Sequence, residues 1–250
     1  MVGWIDVAVG RAPSWPECAL GETVLGALLL GIFNPRSQGF APAFCGSRHC
    51  RTRIVALTFD DGPDPTTTPR VLDALGANRA TFFVIGRKAR EHPHLISELL
   101  ARGHAVMPHG EDHSWIDMMT VRGARGLVRE CLRSLEGLGV PRARFFRPRY
   151  GLITPPLLVA LREVGLTLVG WRLRTFDTVR YGQRDHFAER FAARVRNGDI
   201  VLLHDAPNLG SRPEPLGVTA TSQLVTELRA REFTLVTLNE LFEGAARDDI

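Results

Sequence analysis

The chain has 250 residues, 44% of them apolar, which is enough to bury a core within one main domain. Its formal net charge is +4, with acidic residues mixed among the basic ones and Lys88 the only lysine. That mild basicity suits an anionic surface or polymer and excludes the clustered positive footprint of a nucleic-acid binder.

The first fifty residues differ from the rest and are read as an N-terminal extension, 1–50, ahead of a periodic domain, 51–250. From Thr23 to Phe33 runs a short apolar stretch, preceded by Glu17 and Glu22 rather than by a basic segment, and Ala41-Pro42-Ala43 has the small residues of a cleavage signal. A signal peptide, a shortened membrane anchor and a packed extension stay open as readings. Together they favour the cell envelope, a membrane-associated or a secreted setting over the cytoplasm. Cys18, Cys45, Cys50 and Cys131 form no C-x-x-C pair and no zinc-finger set, so free thiols are expected unless the chain is exported.

From Arg53 onward short buried runs alternate with amphipathic segments. Ile54 to Phe59 reads as a strand, Thr68 to Leu75 as a helix, Ala80 to Ile85 as a strand and Arg87 to Arg102 as one helix. A helix over Val121 to Leu138, a strand at Arg144 to Phe146, a helix after Thr154-Pro155 and a strand near Leu166 to Gly170 continue the pattern. A helix around Phe187 to Arg196, a strand at Ile200 to Leu203, a helix from Thr219 to Arg231 and a strand at Thr234 to Thr237 complete it. Strand-helix alternation without hairpin signals predicts an α/β fold with a parallel sheet, closed as a barrel or open and doubly wound.

Such folds place reactive groups just past the strand C-termini. There the sequence has Asp60-Asp61-Gly62-Pro63, then His109 and His113, then Arg147, Asp177 and His204-Asp205. Adjacent carboxylates repel unless a cation or a proton intervenes. His109 and His113, four residues apart, fit on one face of a helical turn and with Asp61 make a two-His-one-carboxylate set that leaves room for water, a catalytic metal arrangement.

Thr58-Phe59-Asp60-Asp61-Gly62-Pro63, Arg147-Pro148-Arg149-Tyr150-Gly151 and Leu202-Leu203-His204-Asp205 resemble signature motifs of the polysaccharide deacetylases, the NodB-homology group of carbohydrate esterase family four. The resemblance runs from about residue 53 to 242. It implies a distorted (β/α) barrel of about seven parallel strands with outer helices, and a hydrolase that removes N-acetyl or other N-acyl groups from amino sugars of a polymer, oligosaccharide or glycolipid. By position it implies Asp60 as catalytic base, with Asp61, His109 and His113 as metal ligands. Arg147 is the partner of the base, the Tyr150 N–H an oxyanion donor, His204 the general acid and Leu202 a wall of the acyl pocket. Asp177, six residues after Trp171, would tune that acid. The metal implied is divalent, Zn²⁺ first, with Co²⁺, Ni²⁺ or Mn²⁺ as substitutes.

The chain departs from the pattern at Gly110, where Ser or Thr is usual, and an alternative register would use Asp117 in a His113-Ser114-x-x-Asp117 form. Arg174 and Thr178 alter one wall of the sugar site, and Arg149 stands where proline is common, expected as a cation at the rim. Deformylation or deacylation of a lipid-linked amino sugar, with membrane association through the N-terminal segment, is one alternative function. A non-catalytic carbohydrate-binding pseudoenzyme is another.

Overall fold

The computed structural model describes residues 43–47, 52–112, 116–175, 186–207 and 215–248. The apolar run Thr23 to Phe33 and most of the cleavage-like segment lie outside them. Among the described residues no helix is long and apolar enough to cross a membrane.

The expected alternation is present, with β1 (Ile54–Asp60), α1 (Thr68–Leu75), β2 (Thr81–Val84), α2 (Gly86–Glu91), α3 (Pro93–Ala101) and β3 (Ala105–Pro108) opening the domain. Pro93 explains why the single helix expected over Arg87 to Arg102 is two. Proline cannot donate to the preceding turn but suits a first turn, so α2 stops at Glu91, His92 takes a non-helical conformation and α3 restarts on the proline. Next come α4 (Val121–Glu136), β4 (Phe145–Phe146), α5 (Pro155–Val164), β5 (Thr167–Leu168) and β6 (Leu173–Arg174). Thr120 and Thr154 cap α4 and α5, their hydroxyls accepting from the N–H of Gly123 at 3.1 Å and of Leu157 at 3.2 Å. Gly165, at φ 71°, ends α5 in the left-handed conformation that a side chain would resist. The rest is α6 (Phe187–Ala192), β7 (Asp199–His204), α7 (Leu216–Ala230), β8 (Thr234–Leu235) and α8 (Leu238–Asp248).

All pairings between named strands are parallel. One sheet has the order β3-β2-β1-β7-β6, with β8 on the start of β1, and β4 and β5 form a second. The two sheets meet in two places. The Arg147 N–H donates to the Pro108 carbonyl at 3.4 Å, joining β4 to β3. On the other side residues 43–47 act as a stave: Phe44 pairs with Val169 after β5, and Gly46 with Asp199 at the start of β7. These residues precede the boundary expected near Arg51, and Ala43 and Cys45 are buried against α4 and α5. The result is the wall of a distorted barrel, closed by short irregular contacts.

Side-chain alternation sorts each strand between two cores. Val55, Leu57 and Phe59 of β1, Phe82 and Val84 of β2 and Val201 and Leu203 of β7 pack outward against the helices. Ala56, Phe83, Ile200 and Leu202 face inward, with Met107, Phe145 and Trp171. The same parity points Thr58 and Asp60, and Leu202 and His204, into the barrel, and the register sets Asp60 beside His204 at its C-terminal mouth.

His104, 4% exposed, sits at the opposite end, its Nδ1 accepting the Ala80 N–H at 3.2 Å. Burial, aided by the charge of Arg102, pulls its pKa down to about 4. The folded state therefore prefers the neutral ring: its contribution is complete above pH 6.5 and is lost as pH falls from there towards 4, amounting to on the order of 3 kcal/mol. Urea unfolding of wild type and His104→Asn should show a shallower pH dependence for the variant across that window. Equal slopes would remove His104 as the source.

Candidate functional site

Asp60 is the last residue of β1 and Asp61 the first beyond it, both 4% exposed. The two carboxylates diverge because Asp61 takes a left-handed conformation, φ 75°, which costs a residue with a Cβ about 1–3 kcal/mol. Asp60 turns inward to Arg147, whose Nη1 donates to its Oδ1 at 2.8 Å and to Thr58 Oγ1 at 2.7 Å. Nη2 of the same guanidinium donates to the Gly170 carbonyl at 3.1 Å. Arg147 is fully buried, stacked 4.1 Å over the Phe83 ring and 5.8 Å from that of Trp171. Burial pulls its pKa below the usual arginine value, and Asp60 pulls it back up.

His109 follows β3. Its Nδ1 lies 2.8 Å from the Arg147 carbonyl oxygen, so Nδ1 carries the proton and donates, leaving the Nε2 lone pair for the site. Nε2 is 3.5 Å from Asp61 Oδ1 and 3.9 Å from Asp60 Oδ2. Burial alone would raise the Asp61 pKa; with the His109 ring in its protonated form, the Nε2–H bond and charge of that ring, with His204 and Arg149, outweigh burial and hold the carboxyl well below the usual range.

The donor chemistry fits a divalent cation. An imidazole locked by its far nitrogen and an ionised carboxylate are the ligand types such ions take. Two ligands about 2.1 Å from a tetrahedral ion stand about 3.4 Å apart, close to the 3.5 Å between Asp61 and His109. Among the described residues no set of three such donors is assembled. His113, the third ligand expected from the sequence, lies outside them, as does Asp177; Asp117 is in the short 3₁₀ turn Ile116–Met119. Residues 109–112 are irregular, with Gly110 at φ 100° and a bend at Glu111 and Asp112, where the His spacing suggests a helical turn.

The remaining expected residues ring this centre. His204, partly exposed, ends β7 beside Asp60, and Leu202, two residues earlier on the inward face, is 6% exposed. Trp171 is 5% exposed and packs in the barrel core behind Arg147. Tyr150, at φ 56°, is 65% exposed over the mouth. Arg149 is not a rim cation as its position suggested. It is 2% exposed, with Nη2 3.9 Å from Asp61 Oδ1.

Several supports carried no assigned role in the sequence reading. Asp205 latches the Asp61-Gly62 turn: its N–H donates to the Asp60 carbonyl at 3.3 Å, and Thr68 Oγ1 donates to its Oδ2 at 2.5 Å. A Cβ on Gly62 would lie 2.2 Å from that Oδ2, so only glycine admits the latch. Lys88 Nζ donates to the Asp61 carbonyl at 2.7 Å. Burial pushes the Asp205 pKa up to about 7, against the Thr68 bond and the Lys88 charge. Glu111 braces the bend after His109. It bonds Arg90, accepts from Ser134 Oγ at 3.0 Å, and its carbonyl takes the Arg87 N–H at 2.9 Å. These bonds brace a loop that lacks the usual hydroxyl at Gly110. The adjacent HD of β7 was the available signal for Asp205; Glu111 had none.

Removing Arg147 would leave Asp60 buried without its cation, a loss of about 3–5 kcal/mol. Arg147→Met should therefore unfold at markedly lower urea, and adding Asp60→Asn should recover part of the loss. A double variant no more stable than the single would show that the guanidinium acts through its other bonds.

The pattern of the family described as Polysaccharide deacetylase matches residues 48–169. A chitooligosaccharide deacetylase of Sinorhizobium fredii is 36% identical over 198 residues, 74% of this chain and 89% of the relative. A peptidoglycan-N-acetylglucosamine deacetylase of Bacillus cereus is 32% identical over 193 residues, 76% of this chain and 88% of the relative. Among solved structures, the peptidoglycan deacetylase PdaC from Bacillus subtilis superposes with a TM-score of 0.69 at 25% identity, covering 80% of this chain and 94% of that one. A family 4 acetyl xylan esterase from Clostridium thermocellum in complex with a cobalt ion gives 0.68 at 31% identity, covering 76% and 90%. With its parallel barrel and its strand-end carboxylates, this chain belongs to the polysaccharide deacetylase family.

Proposed function

We propose that the chain is a metal-dependent hydrolase that removes N-acetyl groups from amino sugars of a polysaccharide or oligosaccharide. One observation carries the reading: two buried, adjacent carboxylates have different partners, Asp60 a guanidinium and Asp61 the free nitrogen of an oriented imidazole. One is thereby kept for proton transfer and the other for a cation. Relatives that cover most of this chain are named for chitooligosaccharide and peptidoglycan N-acetylglucosamine deacetylation, which supports the substrate class.

In this reading Asp61, His109 and His113 would hold the cation, with Zn²⁺ first among Co²⁺, Ni²⁺ and Mn²⁺. When bound, it would supply a Lewis acid for the acyl carbonyl and lower the pKa of a water towards about 7. Asp60, kept ionised and oriented by Arg147, takes the proton of the attacking water. The Tyr150 N–H donates to the oxygen that becomes anionic, a contribution of roughly 2.7–4 kcal/mol for donors of this kind. His204, beside Asp60 at the mouth, gives a proton to the departing sugar nitrogen. Leu202 lines the space for the acyl methyl group.

The test is acyl release from chitooligosaccharides, peptidoglycan fragments and a lipid-linked amino sugar, before and after chelation and again after Zn²⁺ is restored. Activity should disappear with the metal and return with it; activity indifferent to chelation would end the metal reading. Asp60→Asn should lose turnover while binding Zn²⁺ like wild type, and His204→Ala should lose at least about two orders of magnitude in kcat. Near-normal turnover in either variant would remove that residue from its role.

A further inference from the structure

Arg149 is unusual for its place. Its side chain is 2% exposed, yet Nε and Nη1 are buried and have no hydrogen-bond partner, while Nη2 stands 3.9 Å from Asp61 Oδ1. The guanidinium carbon lies 5.0 Å from the centre of the Tyr150 ring, so the group is held between the Asp61 turn and Tyr150. The planar fork places Nη1 within about 6 Å of Asp61 Oδ1. Buried N–H groups of a permanently charged side chain call for an acceptor, and the best acceptor is an anion.

Charge counting says the same. Around the reacting centre, Asp60 and Asp61 balance Arg147 and Arg149, and the half-buried Asp112 adds one negative charge near Arg149. A divalent cation beside Asp61 would leave one net positive charge, one more than a proline at position 149 would give. Amide hydrolysis supplies the complement. When the water oxygen bonds to the acyl carbon, the acyl oxygen becomes anionic. When the C–N bond then breaks and the nitrogen takes a proton, the acyl group departs as a carboxylate.

We propose that Arg149 is a further catalytic residue, donating from Nε–H or Nη1–H to the anionic acyl oxygen and then to the carboxylate product. The identity of that anion and the excess charge, which counts the proposed cation, rest on the deacetylase reading above; the unpartnered donors do not.

The test compares wild type with Arg149→Met by steady-state kinetics, by Zn²⁺ affinity in chelator competition, and by direct binding of ¹³C-acetate to the Zn²⁺-loaded protein. The variant should lose about 10²–10³ in kcat with little change in KM. Its acetate dissociation constant should rise about tenfold while its Zn²⁺ affinity does not fall. If Arg149→Met folds poorly, Arg149→Gln, planar but uncharged, should give the same changes. Unchanged kcat and acetate affinity would overturn the proposal, and so would a kcat loss that saturating Zn²⁺ restores, which would confine Arg149 to positioning Asp61. Should wild type deacetylate nothing while the variant still loses acetate, the functional reading fails and the anion site stands. Should wild type deacetylate and the variant match it, the reverse holds.

Discussion

A guanidinium sealed inside a barrel must have its charge and its donors answered locally, and Arg147 is the point from which the site is organised. Its side chain fixes Asp60 and reaches Thr58 and Gly170, so β1 and the turn after β5 are tied through one group. Thr58 in turn donates to the Val201 carbonyl at 2.7 Å, carrying the tie to β7. The Arg147 carbonyl itself accepts from His109 Nδ1–H. One arginine thus sets the direction of a carboxylate with its side chain and the tautomer of an imidazole with its carbonyl. Phe83 and Trp171 supply flat apolar faces on which the cation can stack without water.

The turn beyond β1 shows how environment separates chemically identical groups. Asp61 and Asp205 are both buried carboxyls near the barrel mouth, and their pKa values move in opposite directions. Asp61 faces His109, His204 and Arg149 and is kept ionised. Asp205 has a hydroxyl and a more distant ammonium, and burial pushes it up to about 7. One suits a cation; the other suits a latch that holds a strained turn without adding a full second charge behind it.

Much of this could be read from the sequence because the signals were local. The buried run Ile54 to Phe59, the Thr-Pro start of α5 and the carboxylates after β1 each reflect a rule that acts over a few residues. What escaped was long-range. The barrel's second closure depends on Phe44 and Gly46 pairing with chain more than a hundred residues away, and no periodicity announces such short bridges. Pro93 was a legible breaker that the apolar pattern around it masked. Arg149 read as surface because arginine usually is; its burial depends on Asp61 meeting it from a distant part of the chain and on the ring of its neighbour Tyr150 lying beside it. Glu111 is an ordinary acidic loop residue until Arg90 and Ser134 are brought to it.

The stave formed by residues 43–47 bears on how the chain can be matured. The amide of Phe44 donates to the Leu168 carbonyl at 2.9 Å, and its own carbonyl accepts from Gly170 at 3.1 Å, one residue before Trp171. Peptide-bond hydrolysis between Ala43 and Phe44 would convert that amide to an ammonium inside the wall, and trimming past Gly46 would unzip the seam that carries the cushion under Arg147. A processing enzyme acting on this molecule therefore has an inner limit written into the barrel: upstream of Ala43 the seam survives, and beyond it the damage reaches the reacting centre through the floor.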